Sequence, residues 1–311
     1  MTTDDLQITR FNAALDERFA RAALTLVFCR LPDEAADALR LATIAEARRV
    51  PETLETLWFA GSGKMMVGAT WAQLSGGSVA QIWPPQWLPG RRPPGPDPLL
   101  VGLLADLPTR GVSFAQSLLP DVDDPDAQAL RAAGFLHAAD LRYLAADVVG
   151  NTAAQQPTSL HFHRYESAQR ERFAAIVEKS YEATLDCPTL NGLRPIDEVL
   201  AEYAEVGAEG THHWYRVQHN SVDVGCLLLA DHPTQNQVEL VYMAVLPQAR
   251  GKKFGRELIG ETLRIAADLH RERVVLAVDA RNLPAAAHYE AAGFREWERR
   301  SAFVKKLESP R

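Results

Sequence analysis

The stretch VELVYMAVLPQARGKKFGRELIGETLRIAADL, Val238 to Leu269, decides the fold. Its opening, Val238 to Leu246, is rich in Val, Leu and Tyr and predicts a strand that Pro247 terminates. From Arg256 to Leu269 the apolar positions Leu258, Ile259, Leu263, Ala266 and Leu269, with Thr262, recur every three or four residues, so the segment predicts a helix with one buried face. Between the two lies a basic, glycine-containing turn, Arg250-Gly251-Lys252-Lys253-Phe254-Gly255. A strand, such a turn and a helix start together make an anion site. Free N–H groups point out of the helix N-terminus and its dipole favours negative charge there. Glycine lets backbone approach a phosphate without an intervening Cβ. Arg250, with Lys252 or Lys253, can supply charge for such a ligand.

Downstream, RVVLAVD (Arg273 to Asp279) predicts the next strand, followed by Asn282, Pro284, Tyr289 and Gly293-Phe294. Pro284 suits the first turn of a helix, where its missing N–H has no intrahelical partner to lose. These two blocks, in this order and spacing, resemble the GNAT superfamily of N-acyltransferases over about residues 160 to 307. The superfamily's phosphate-loop pattern is Gln or Arg, two variable residues, Gly, one variable residue, then Gly or Ala. Arg250 takes the first place and Gly255 the last. Lys253 stands where the internal glycine is usual, so its side chain must point away from the phosphates.

The resemblance implies acetyl-CoA as co-substrate, with Met243, Ala244 and Val245 pairing with its pantetheine arm. It places Arg250, Gly251, Lys252, Lys253, Phe254, Gly255 and Arg256 around the pyrophosphate and Asn282 on the arm. Tyr289 is the implied general acid, since a phenol can protonate or stabilise a departing thiolate. Glu239 is the candidate base for a protonated amine, with Glu182 and Asp186 as alternatives. The insert Tyr181 to Val199 falls where acceptor-binding segments lie in this superfamily, which makes Tyr181, Asp186 and Asn191 candidate substrate contacts. The implied reaction moves an acetyl group to a primary amine of a small molecule or peptide. A coenzyme-binding regulator without turnover is the alternative, as is a transferase using another acyl group or a hydroxyl acceptor.

The first half repeats the plan. LRAAGFLHAADLRYLAAD from Leu130 parallels YEAAGFREWERRSAFVKKL from Tyr289, and the segment around Gly68 parallels that around Gly225. Such repetition indicates duplication. The expected fold is mixed α/β (α+β): two tandem GNAT-like domains, 1–144 and 160–311, joined by a linker at 145–159. Each would be a twisted, mostly antiparallel sheet with flanking helices, the strands around Val238 and Val274 splaying to admit the coenzyme. This layout is similar to that of mycothiol synthase. The first copy is expected to be silent. Its counterpart of the phosphate loop, Pro84 to Pro98, carries seven prolines, and Leu130 replaces the tyrosine.

Composition agrees with a globular chain: 311 residues, 47% hydrophobic, 23% charged, net charge -7. The acidic balance disfavours nucleic acid and anionic membranes as partners. The N-terminus lacks the pattern of a secretory leader and no apolar run approaches a bilayer span, so a cytoplasmic location is expected. Cys29, Cys187 and Cys226 have no metal or redox spacing. On strands, His161 and His163 would share a face while His212 and His213 would point oppositely, so no metal is expected. The oligomeric state stays open; a monomer suffices if the two halves cover each other's apolar surface.

Overall fold

The computed structural model describes residues 6–12, 17–62, 65–75 and 78–308. Both halves use one order of elements. The first runs β1 (Leu6–Arg10), α1 (Glu17–Val27), α2 (Asp33–Ala47), β2 (Leu57–Ser62), β3 (Met65–Ser75), β4 (Val79–Trp87), α3 (Pro98–Asp106), β5 (Phe114–Leu119), α4 (Pro125–Ala132) and β6 (Leu136–Asp147). The second runs β7 (His161–Arg164), α5 (Arg170–Ser180), α6 (Ile196–Ala204), β8 (Trp214–His219), β9 (Val222–His232), β10 (Gln237–Val245), α7 (Phe254–Asp268), β11 (Arg273–Asp279), α8 (Leu283–Ala291) and β12 (Arg295–Lys306). The sheets are mostly antiparallel, with parallel pairing at β4–β5 and β10–β11.

The matched glycines occupy equivalent places for a physical reason. Gly68 lies opposite Trp87 and Gly225 opposite Val245, the last residues of β4 and β10. A Cβ on Gly225 would lie 2.0 Å from the Ala244 carbonyl oxygen, so no side chain fits. Gly134 and Gly293 follow α4 and α8 with φ of 85° and 93°, the left-handed helix stop that glycine adopts without penalty.

The compact units are not the two sequence halves. One comprises Met1–His137 with Ala302–Arg311, the other Ala138–Ser301. Each therefore takes a final strand segment from the other half of the chain. In the second unit the strand order is β6-β11-β10-β9-β8-β7. There β6 pairs with β11 from Arg273↔Asp147 to Asp279↔Leu141. The stretch 145–159, expected as a linker, is built into this unit. Ala153 and Ala154 pack against its core, and the Asn151 side chain donates to the Ala292 carbonyl at 3.0 Å. A Cβ on Gly260 of α7 would come within 2.8 Å of the Ala153 carbonyl oxygen. Its small polar residues suit close backbone approach, which the sequence alone does not separate from looseness.

Period-two alternation puts apolar side chains on both faces of this unit's sheet. Leu227 and Leu229 of β9 enter a core with Val238, Leu240, Leu258, Ile259, Leu263 and Val274, under α7 and α8. Cys226 and Leu228 point the other way, into a core with Phe173, Val177, Leu200 and Trp214 under α5 and α6. Phe173 and Trp214 stack at 5.7 Å. The other unit repeats the arrangement, with α1 and α2 over Trp71 and α3 and α4 over Ala72 and Ile82.

Without β6, β11 would present an unpaired edge along its whole length. A fragment 160–311 is therefore expected to aggregate and melt broadly, whereas 138–311 keeps a sharp thermal transition. Calorimetry with light scattering compares them; a sharp, soluble melt of the shorter fragment would show β6 to be dispensable.

Candidate active site

Strands β10 and β11 pair over only three positions, Gln237↔Arg273, Val238↔Val274 and Glu239↔Val275. Beyond them the pairing stops. The expected splay is present, but it opens past Glu239 and Val275 rather than at Val238 and Val274, which are still paired. A register shift between Leu240 and Tyr242 helps to redirect β10. Tyr242 to Val245 continue to pair with β9 on their other side. The backbone of Met243, Ala244 and Val245 is thus left on the β11 side with no strand partner.

Below this gap the chain runs through a 3-10 turn, Pro247–Ala249, into α7. No side chain caps α7, so its leading N–H groups stay open to a ligand. A Cβ on Gly251 or Gly255 would meet nothing within 4 Å, so the backbone at both glycines can be approached. Lys252, Lys253 and Arg256 are exposed. Lys253, which replaces the usual glycine, has φ 66° and ψ 9°. For a residue with a Cβ, left-handed backbone costs about 1–2 kcal/mol. The loop keeps the conformation glycine would have given it, at that cost.

Arg250 is engaged elsewhere. Its guanidinium donates to the carbonyls of Val245 (3.2 Å), Glu182 (2.9 Å), Ala183 (3.0 Å) and Ser180 (2.9 Å). Asn282 is engaged too. Its side-chain oxygen caps α8 by accepting from the Ala285 N–H at 3.3 Å, and its side chain also bonds Asp186.

The segment between α5 and α6 folds against this end of the sheet. Asp279 N–H donates to Asp186 at 2.8 Å, and Cys187 N–H donates back to the Asp279 carboxylate at 3.2 Å. Asp279 is fully buried and paired with Arg281 at 2.9 Å. Burial raises the carboxyl of Asp186 above its ordinary range, against the pull of the Asp279 N–H that it accepts. Tyr289 is also buried, packed edge-on to Phe294 at 5.5 Å. Burial, with the Asp186 charge nearby, pushes its phenol well above the ordinary value, so it holds its proton throughout the neutral range. Burial pushes the Cys187 thiol up to about 12, which leaves it unsuited to nucleophilic work at neutral pH. Ala183 and Cys187 both have left-handed backbone, with φ of 50° and 43°. Asn191 donates to the Tyr181 carbonyl at 3.3 Å, and the Tyr181 ring stands edge-on to Tyr242 at 6.1 Å.

Glu239 sits where the β10–β11 pairing ends, its side chain 38% exposed, with His232 Nε2 at 2.9 Å. His232 lies diagonally across the antiparallel β9–β10 pair, so sequence spacing alone does not mark it. Asp279 and Arg281 were likewise missed. The only signal available was an acidic strand end just before Asn282.

The corresponding region of the first half is closed. There β4 and β5 also pair over three positions, Val79↔Phe114 to Gln81↔Gln116. The N-terminus of α3, however, is filled by the chain's own anion. Asp97 accepts from the N–H groups of Leu99 (3.1 Å) and Leu100 (3.4 Å), from Trp87 Nε1 (2.8 Å) and from Arg92 Nε (3.1 Å). Next to it, Arg30 pairs with Asp124 at 2.6 Å and Asp126 at 2.7 Å. What remains is a cavity of ≈ 320 Å³ whose lining includes Arg30, Gln86, Trp87, Arg92 and Asp126.

His212 and His213 lie not on a strand but in a 3-10 turn, Gly210–His213. With Glu209 they bring ligand-type atoms within 4.8 Å of one another. The Arg164 guanidinium is 3.1 Å from His212 Nε2, placing a cation there already. His161 and His163 are exposed on β7.

Residues 177–294 match the Acetyltransferase (GNAT) family. No curated protein matches the chain. Among solved structures, a GCN5-related N-acetyltransferase from Sphaerobacter thermophilus superposes with a TM-score of 0.61 at 13% identity, over 99% of this chain and 98% of that one. A tandem GNAT protein from the clavulanic acid biosynthesis pathway gives 0.53 at 16% identity, over 98% and 100%. A glucosamine N-acetyltransferase region of a fungal multi-domain β-N-acetylglucosaminidase gives 0.58 at 12%, over 96% of this chain and 38% of that one. At these identities the likeness is one of fold. The family match and the repeated order of elements agree: residues 177–294 match the GNAT acetyltransferase family, in a chain whose fold is similar to that of a tandem GNAT protein.

Proposed function

We propose that the chain is an N-acetyltransferase that moves an acetyl group from acetyl-CoA to a primary amine, with one active site, in the second half. The observation that carries this reading is the gap between β10 and β11, with β10 leading through one short turn into the uncapped N-terminus of α7. A strand gap offers backbone groups to a peptide-like arm, and the helix start below it offers N–H groups to a pyrophosphate. In this reading Met243, Ala244 and Val245 hold the arm. Gly251, Lys252, Lys253, Phe254, Gly255 and Arg256 surround the phosphates.

Glu239 takes the proton of the incoming ammonium. Two observations support that role: it has no Arg or Lys partner among the described residues, and it is half exposed. His232 at 2.9 Å gives the proton a route onward. The amine attacks the thioester carbonyl, the carbon–sulfur bond breaks, and the proton that the nitrogen loses on becoming an amide ends on the departing thiolate, which Tyr289, still protonated, stabilises. Tyr181, Asp186 and Asn191 shape the acceptor side. Here Asp186 and Asn191 act by holding the segment in place, because both are already bonded within it. The acceptor is a small molecule or a peptide amine. Three free thiols fit a reducing, cytoplasmic setting.

In the first half, Asp97 occupies the helix start that a phosphate would need, which supports a single coenzyme site. Calorimetric titration with acetyl-CoA is expected to give one equivalent per chain; two equivalents or none would sink the single-site reading. In a thiol-release assay over a panel of primary amines, Tyr289→Phe is expected to lower turnover by about a hundredfold or more. Unchanged turnover would remove Tyr289 from the chemistry. Lys253→Gly relieves left-handed strain, so thermal unfolding should show a gain of about 1 kcal/mol. The Kd for acetyl-CoA is expected to stay within about threefold, because in this reading the loop backbone and not the Lys253 side chain meets the phosphates. A large rise in Kd would instead make Lys253 a phosphate ligand.

A further inference from the structure

Arg250 stands at the first position of the phosphate loop, where its charge invites assignment to the coenzyme. Its hydrogen bonds point elsewhere. Of the five N–H groups of a guanidinium, four donate to backbone carbonyls: one to Val245 at the end of β10, and three to Ser180, Glu182 and Ala183, where α5 ends and the acceptor-side segment begins. A cation at a helix C-terminus also meets the negative end of the helix dipole. One N–H at most is left for a ligand.

The far side of the same segment is held by the reciprocal exchange between Asp186-Cys187 and Asp279. The two left-handed non-glycine residues of the segment sit at these two attachments. Ala183 gives its carbonyl to Arg250, and Cys187 gives its N–H to Asp279. Backbone held in that region persists only where its surroundings enforce it.

We propose that Arg250 is a positioning residue, not a phosphate ligand. It ties the acceptor-side segment, 181–195, to the phosphate loop, so that acetyl-CoA bound on the loop also steadies the surface that receives the acceptor. The coupling to coenzyme rests on the acetyl-CoA site proposed above; the tie itself does not.

Arg250→Lys separates the two roles. Lysine keeps the charge a phosphate would use but has no planar fork to reach four carbonyls. The readout is amide hydrogen exchange of residues 181–195 in the full chain, first without ligand and then with saturating acetyl-CoA, beside a calorimetric Kd. Without ligand, the variant is expected to exchange about tenfold faster across this segment, with the rest of the second unit unchanged. Its Kd for acetyl-CoA should stay within about threefold of the parent value. Acetyl-CoA should slow the segment's exchange in the parent chain and not in the variant. Segment exchange unchanged by the substitution would overturn the proposal, whatever the affinity. So would a tenfold loss of affinity for acetyl-CoA with the segment still protected, which would return Arg250 to the phosphates. Far-UV circular dichroism and the unchanged exchange of β8 and β9 report that the variant is folded. If the parent chain binds no acetyl-CoA, the acetyltransferase reading fails, while the ligand-free comparison still decides the tie.

Discussion

A parallel strand pair that stops after three positions is the constraint on which the rest of this structure turns. Backbone N–H and C=O groups inside a protein must find partners, so a sheet does not split without compensation. Here β10 beyond Glu239 is satisfied on one side by β9 and left open on the other, while β11 turns to β6 and pairs along its full length. The open side of β10 is then the place in the second unit where an extended ligand can supply missing strand partners. The helix start beneath it can take the ligand's anionic end. Geometry that would be a defect in an ordinary sheet here leaves backbone that an extended ligand can reach.

The two halves show two ways of meeting that constraint. Both keep the three-position pairing, the glycine opposite the end of the fourth strand and the glycine that stops the last helix. They differ in what meets the helix start. In the second half it is left to Lys253, Phe254 and Gly255 with no side-chain cap. In the first, Asp97 caps it internally and is itself held by Trp87 and Arg92. The proline-rich run reads as damage to a phosphate loop. The structure makes it a replacement: a helix start whose own carboxylate does what an exogenous anion would do, with Pro98 at the first turn where a missing N–H costs least.

Much of this was legible because local rules and tertiary structure agree. Strand β11 was read to the residue. The buried face of α7, the glycine stops of α4 and α8 and the repeat itself follow from periodicity and turn chemistry. What was not legible depends on long-range partners. No spacing rule shows that Arg250 would spend its fork on carbonyls around 182, that Asn282 would turn to Asp186, or that His232 would meet Glu239 across two strands. Lys253 was recognised as a departure, but only its φ of 66° shows that the chain keeps the glycine conformation without the glycine. The segment 145–159 was misjudged because small polar residues look alike in sequence whether they swing free or let backbones touch, as Ala153 does against Gly260.

The exchange of end strands also bears on how the chain acquires its structure during synthesis. One unit contains Met1–His137 together with Ala302–Arg311, so it cannot be completed until the whole of the other, Ala138–Ser301, has been made. Its first 137 residues must wait with the place beside β5 unfilled, a strand edge of the kind that recruits other chains. Domains that form one after another as they emerge spread this exposure over time. Here the first unit stays open until the second, Ala138–Ser301, has been made, and the contacts that close it join segments on either side of that unit. Contacts of such sequence separation are slow to form. The duplication that gave this protein a second copy thus also removed the independence of its parts: neither half can finish folding alone.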